Sequence, residues 1–76
     1  MENFNGLNNA ESERIALLLE EFGEVQQAIG KILRHGFENR HPSSTETNRE
    51  ELEREIGDVF CAVSMMAKKG DVNMEI

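Results

Sequence analysis

The sequence contains a single cysteine and no long apolar run. One cysteine excludes an internal disulfide framework, and no cluster of cysteine and histidine offers a structural zinc site. No apolar stretch approaches the roughly 18–20 residues that span a bilayer. The opening residues MENFNGLNNA have neither an apolar core nor a basic region, so we expect no signal peptide. These absences predict a soluble, cytoplasmic protein with no membrane contact.

Basic residues are also scarce. Eight lysines and arginines stand against fifteen acidic residues, which gives a formal net charge of −7. A protein that binds a nucleic-acid backbone needs a basic face, so the charge argues against nucleic acid as a partner. An anionic small substrate remains compatible with the sequence if divalent cations lie between the carboxylates and the phosphates.

The length of 76 residues predicts one small domain. A chain of this size buries too little apolar surface to be more than marginally stable alone, so self-association is the expected stabiliser. Within the single domain, residues 1–76, we predict an irregular arm over residues 1–10, a loop over residues 37–47 and a tail over residues 70–76.

The first predicted helix carries apolar residues at steps of three and four, the spacing of one helix face. It is expected to start between Ala10 and Ser12, with Ser12 as its cap, and to end at Gly36. Gly23 and Gly30 lie on one side of it, either to admit another backbone or on a solvent face. The apolar positions are Ile15, Leu18, Leu19, Phe22, Val25, Ile29, Ile32 and Leu33.

The second predicted helix starts at Thr47 or Asn48, where Thr47 and Glu50 form a capping-box pattern, and ends at Gly70. Its apolar positions are Leu52, Ile56, Val59, Phe60, Val63, Met66 and Ala67. The loop has the composition of a break, with Pro42 and a serine/threonine run. The fold class is therefore all-α: an antiparallel helical hairpin that completes a helical bundle by homo-oligomerisation.

Each helix carries a pair of acidic residues three positions apart at the edge of its apolar stripe. The pairs are Glu21 with Glu24 and Glu55 with Asp58, and residues at this spacing share a helix face. If the helices pack along their apolar faces, the four carboxylates form one cluster. Carboxylate oxygens without thiol or imidazole neighbours suit Mg²⁺ or Mn²⁺. The alternative is that both pairs are solvated helix surface.

The strings LLEEFGEVQQAI and LEREIGDVFCAV resemble the MazG-like, all-α nucleoside triphosphate pyrophosphohydrolases. That family combines a Glu-Glu-x-x-Glu helix with a Glu-x-x-Asp helix one loop later. The likeness covers residues 15–67, and the signature falls on Glu20, Glu21, Glu24, Glu55 and Asp58. Glu20 points away from the stripe, so it is left out of the expected metal ligands.

The resemblance implies a Mg²⁺-dependent hydrolase acting on the α–β phosphoanhydride. A ribo- or deoxyribonucleoside triphosphate and water would give the monophosphate and pyrophosphate, by attack of water at the α-phosphorus, in nucleotide-pool housekeeping. It also implies a homodimer or homotetramer. The metal ligands and catalytic residues it implies are Glu21, Glu24, Glu55 and Asp58.

Two basic residues beyond the first acidic pair are candidates to reach substrate phosphates. Lys31 lies on the same side of the helix as Glu24 and is the better candidate; Arg34 is the other. Plain surface solvation is the alternative, and it is the more common role of such side chains. We interpret Cys61 as a small packing residue and the phenylalanines Phe22 and Phe60 as core residues rather than base-stacking platforms.

Two further functions stay open at this stage. A non-catalytic helical interaction module would carry the same apolar stripes with the acids as a solvated rim. A nucleotide binder or sensor would keep the fold without turnover. Alanine at Glu21 or Asp58 separates the interaction module from an enzyme, because an enzyme should lose activity and Mg²⁺ affinity and the module should show neither loss.

Overall fold

The computed structural model describes residues 4–75 and contains two helices in that range. Helix α1 spans Asn9–His35 and helix α2 spans Asn48–Lys68. The two pack against each other in antiparallel fashion, which confirms the predicted all-α hairpin. Neither helix, within the described range, is long and apolar enough to cross a membrane.

Helix α1 begins earlier than the sequence suggested. Asn8 is the cap: its side chain accepts a hydrogen bond from the Glu11 backbone at 2.8 Å, and the Glu11 side chain accepts one from the Asn8 backbone at 2.8 Å. Ser12 is not the cap, since its N–H already donates a helical hydrogen bond to the Asn8 carbonyl. A reciprocal capping box outweighs a lone serine because it satisfies two end groups at once. Residues 1–3 of the predicted arm lie outside the described residues.

The loop between the helices is ordered by hydrogen bonds at both of its ends. Gly36 ends α1, as predicted. Its φ is 87°, and its N–H donates to the Ile32 carbonyl at 2.7 Å. At the other end Thr47 caps α2 through the predicted box with Glu50. Asn48 is buried and its side-chain amide donates to the Gly36 carbonyl at 3.0 Å. The start of α2 is thereby held against the end of α1.

The tail after α2 is attached to α1 through Asp71. Gly70 has φ of 82°, a conformation that favours glycine, and the Asp71 N–H donates to the Met66 carbonyl at 2.9 Å. Arg14 then donates two hydrogen bonds to the Asp71 carboxylate, one of them at 2.8 Å. This pair holds the N-terminal half of α1 against the C-terminal end of α2.

The contact between the helices is narrow and made largely of small or flexible residues. Ala28 of α1 and Ala62 and Met66 of α2 are buried. The alanines let the helices approach closely, and the flexible methionine fills the remaining space. The residues that flank this contact, half-buried in each case, are Leu18, Val25, Ile32, Leu52 and Val59.

A second apolar face is left uncovered by the hairpin. Phe22 and Phe60, expected in the core, are 48% and 67% exposed, and Leu33 is 82% exposed. Two helices can bury only the sides that face each other, so the rest of each wide apolar stripe meets solvent. We call this surface the outer apolar face; it consists of Ile15, Leu19, Phe22, Ile29, Leu33, Ile56 and Phe60.

Candidate functional site

Four carboxylates from the two helices meet at the middle of the hairpin. Each offers one oxygen, and these oxygens all lie within 4.8 Å of one another; the four are Glu21, Glu24, Glu55 and Asp58. We call this group the acidic cluster. It is the set that the two Glu-x-x-acid patterns predicted would come together.

Helix geometry explains why the acidic cluster forms. At about 100° per residue, Glu21 and Glu55 point directly at the opposite helix, and Glu24 and Asp58 lie roughly 60° to one side. In an antiparallel pair, two residues turned by the same angle away from the helix contact lie on the same edge of the pair. Glu24 and Asp58 therefore share an edge. The outer apolar face lies roughly 80–160° in the other direction on both helices. The acidic cluster and the outer apolar face are therefore on opposite sides of the hairpin.

The negative charges of the acidic cluster repel one another, and this repulsion contributes to raised pKa values of Glu21 and Glu24. Desolvation by burial, followed by the charges of Asp58, Glu55 and Glu20, raises the pKa of Glu21. A hydrogen bond with Glu55 and the neighbouring negative charges raise the pKa of Glu24 to about 7. Two carboxylates can share such a bond only when one carries a proton. Without a cation, the cluster therefore retains a proton to nearly neutral pH.

Two buried oxygens of the cluster have no hydrogen-bond donor in the described chain. They are Oε2 of Glu21 and Oε2 of Glu55, and Glu55 as a residue is only 6% exposed. Leaving a buried charged acceptor unsatisfied is unfavourable. The all-oxygen donor set, the short separations and the unpartnered oxygens fit a divalent cation of the magnesium type.

Arg54 is a neighbour of the acidic cluster that the sequence did not lead us to expect. Its guanidinium donates to Oε1 of the buried Glu55 at 2.6 Å and to Oε1 of Glu46, in the loop, at 2.8 Å. Among the described residues, Arg54 is the basic residue that forms an ion pair with a member of the acidic cluster, Glu55. Its place next to Glu55 in the chain was the available signal, but adjacent helix residues ordinarily point in different directions. The second contact, to Glu46, depends on how the loop folds.

Lys31, the predicted phosphate contact, is engaged by the opposite helix. Its ammonium group lies 2.9 Å from Oε1 of Glu51, about 10 Å along α1 from Glu24. The structure therefore places Lys31 on the same edge as the acidic cluster but not within it.

The remaining candidates are located as follows. Cys61 is exposed rather than packed. A side chain at Gly23 would meet nothing within 4 Å, and one at Gly30 would meet the Arg34 guanidinium at 3.3 Å. Within residues 4–75, neither glycine therefore serves a close approach of another backbone segment.

Comparison with known proteins agrees with this geometry. Curated proteins and solved structures gave no significant match to the chain. A family model, described as the MazG nucleotide pyrophosphohydrolase domain, matches residues 10–76. That range includes α2, all of α1 except its first residue, and all four residues of the acidic cluster. The chain belongs to the MazG nucleotide pyrophosphohydrolase domain family.

Proposed function

We propose that the protein is a Mg²⁺-dependent nucleoside triphosphate pyrophosphohydrolase, with Mn²⁺ as the alternative cation. It converts a ribo- or deoxyribonucleoside triphosphate and water into the monophosphate and pyrophosphate, as cytoplasmic nucleotide-pool housekeeping. The observation that carries the proposal is the acidic cluster, four convergent carboxylates in a chain of the MazG family.

The four carboxylates have related roles in this proposal. Glu21, Glu24, Glu55 and Asp58 hold the cation or cations through their oxygens. A divalent cation supplies positive charge that offsets the phosphates and makes the attacking water more acidic. Glu24 is the proposed general base, because a carboxylate oxygen that is not engaged by the cation can accept the proton of the water. The proton leaves the water for a Glu24 oxygen as the water attacks the α-phosphorus and pyrophosphate departs.

Arg54 and Lys31 support the same reaction from the rim of the site. Each is bound to a carboxylate, Arg54 to Glu55 and Glu46 and Lys31 to Glu51. Release of either side chain would present a cation to the phosphates, which are stronger acceptors for a guanidinium than a single carboxylate. Lys31 is thus proposed as a substrate contact and not as a metal ligand.

The outer apolar face supports assembly into a homodimer or a homotetramer. Along α1 it follows the alternation of four and three residues typical of a helix–helix interface: Ile15, Leu19, Phe22, Ile29 and Leu33, with the uncharged Gln26 at the one step between Phe22 and Ile29. No charged residue interrupts this line. A second copy of the chain offers a surface of the same composition and completes a helical bundle. Because the acidic cluster lies on the opposite side, assembly through this face leaves the cluster open to substrate.

The same outer apolar face favours a second candidate, a non-catalytic helical interaction module. That candidate assigns no role to the convergence of four carboxylates, two of which have buried oxygens without donors. The two candidates differ in what they predict for metal and nucleotide.

Pyrophosphate release from a panel of ribo- and deoxyribonucleoside triphosphates, with and without Mg²⁺, tests the proposal. We expect release that requires Mg²⁺ and falls at least about a hundredfold in Glu24→Gln, the size of a general-base effect. Glu13→Gln, which neutralises an exposed glutamate elsewhere on α1, is the control and should keep its activity. A folded wild-type oligomer that releases no pyrophosphate from any nucleotide would support the interaction module instead.

A further inference from the structure

A pocket lies at the loop end of the hairpin, away from the acidic cluster. It has a volume of about 470 Å³, which is within the size range of small-ligand sites. We call it the loop-end pocket. All of the residues that line it except Pro42 carry basic or amide side chains: Lys31, Arg34, His35, Asn39, Arg40, His41 and Asn48.

The loop-end pocket gathers positive charge in an acidic protein. Lys31, Arg34 and Arg40 line it, out of eight lysines and arginines in a chain of net charge −7. Elsewhere the basic residues Arg14, Arg49 and Arg54 are neutralised by carboxylates. Three cations around one small cavity repel one another, so an anion bound between them is favoured.

Two of these cations have free capacity. Within residues 4–75, neither Arg34 nor Arg40 forms an ion pair with a carboxylate. Arg40 donates only to the backbone carbonyl of Thr45, a contact that fixes its position and leaves further N–H groups for a ligand. Lys31 is the third and is shared with Glu51.

The absence of a side chain at Gly30 permits the position of Arg34. A Cβ at Gly30 would lie 3.3 Å from the Arg34 guanidinium, so an alanine there would push the group away. Glycine in the middle of a helix is unfavourable by about 1 kcal/mol relative to alanine. The side-chain-free residue thus leaves room for the guanidinium beside the pocket.

We propose that the loop-end pocket binds a phosphate group, with Arg34 and Arg40 as its principal ligands. Guanidinium groups bind phosphate oxygens through paired, charge-assisted hydrogen bonds. Lys31 lies about 10 Å along α1 from Glu24. The phosphate therefore belongs either to a nucleotide that also reaches the acidic cluster or to a separate phosphorylated molecule. The binding itself requires neither a metal nor hydrolysis and so stands apart from the proposed activity.

Titration of the full chain with inorganic tripolyphosphate in the presence of EDTA tests the proposal, by calorimetry or by NMR shifts. We expect binding that weakens at least about tenfold in Arg34→Gln and in Arg40→Gln, as for loss of a hydrogen bond to a charged group. Lys68→Gln removes one positive charge outside the pocket and is the control. Gly30→Ala should weaken binding less than Arg34→Gln while raising the melting temperature. Circular dichroism verifies that each variant is folded.

The source of the phosphate follows from a second titration, with an α,β-methylene nucleoside triphosphate and Mg²⁺. If one nucleotide reaches both places, Arg34→Gln weakens the binding of this analogue as well. If the phosphate belongs to a separate molecule, the Arg34→Gln variant should bind tripolyphosphate more weakly than wild type and bind the analogue with unchanged affinity. Equal affinity for tripolyphosphate in wild type, Arg34→Gln and Arg40→Gln, or equal losses in Lys68→Gln, would overturn the proposal.

Discussion

At the scale of single residues, the proton shared by Glu24 and Glu55 links the acidic cluster to pH. The hydrogen bond with Glu55 is the largest cause of the raised pKa of Glu24, and the negative charges of Glu55 and Glu21 follow. The ordinary pKa of 4.5 applies in the unfolded chain, whereas the folded value is about 7. Between those values the folded chain binds more protons than the unfolded chain. The contribution of Glu24 to stability is therefore present below pH 4.5 and is lost as the pH rises through 7.

The variant Glu24→Gln isolates this contribution. Glu46 and Asp71 have lowered pKa values and act in the opposite direction, losing their contribution as the pH falls. Their effect is the same in wild type and variant, so it cancels in the comparison. Without metal, the melting temperature of wild type should fall more steeply between about pH 5 and pH 7.5 than that of Glu24→Gln. Parallel curves for the two proteins would contradict the shared proton.

Arg54 partly neutralises the acidic cluster in the absence of a cation. Its guanidinium lies 2.6 Å from the buried Glu55 carboxylate, so Arg54→Gln leaves the four negative charges less compensated. We expect the metal-free variant to melt at a lower temperature than wild type and to regain part of the difference when Mg²⁺ is added. Arg49→Gln is the control, because it breaks an exposed pair with Glu38 away from the cluster. An Arg54→Gln protein no less stable than the control, or unaffected by Mg²⁺, would count against this role.

At the scale of the helices, each N-terminus is held by a capping box. Asn8→Ala removes the cap of α1 and should lower the free energy of unfolding by about 1 kcal/mol. Asn9→Ala, at the first helical residue, is the control and should have little effect, since its side chain is not the cap. Urea denaturation of the three proteins measures the difference, and equal stability of both variants would show that the box does not contribute.

The helices also show what the sequence could predict and what it could not. Periodicity located both helices, and the glycine and Thr47 signals located three of their ends, because these are local properties. The Asn8 cap also had a local signal, the Glu11 three residues later, which the prediction of a Ser12 cap passed over. Contacts such as Arg14 with Asp71 depend on which turns meet after the helices pack, and no local pattern encodes that.

The candidate site likewise has features that the sequence predicts and features that depend on the folded chain. The Glu-x-x-acid spacing and the apolar stripes suffice to bring four carboxylates together. They do not show that Arg54 reaches both Glu55 and Glu46, since that requires the folded loop. Nor does periodicity distinguish the apolar residues that face the other helix from those on the outer apolar face. Phe22 and Phe60 were therefore expected in the core and are exposed in the single chain.

At the scale of the whole molecule, the outer apolar face should determine the oligomeric state. We expect wild type to be a dimer or a tetramer by light scattering, and Leu33→Glu to dissociate, because a charge would be buried in the interface. Leu33 is 82% exposed in the single chain, so the substitution introduces no charge into the hairpin itself.

Met65→Glu is the matched control for that substitution. Met65 is also exposed, but it lies on the side of α2 that carries Asp58, roughly opposite the outer apolar face. It should leave the assembly intact. A monomeric wild type, or equal dissociation in both variants, would contradict assembly through the outer apolar face.

The most direct test of the account is the binding of Mn²⁺ to the metal-free protein, followed by electron paramagnetic resonance. Wild type should bind Mn²⁺, and Mg²⁺ should displace it. Asp58→Asn should lose most of this affinity, whereas Glu13→Gln should retain it. Unchanged binding in Asp58→Asn, or no binding by folded wild type, would contradict the assignment of Glu21, Glu24, Glu55 and Asp58 as a metal site.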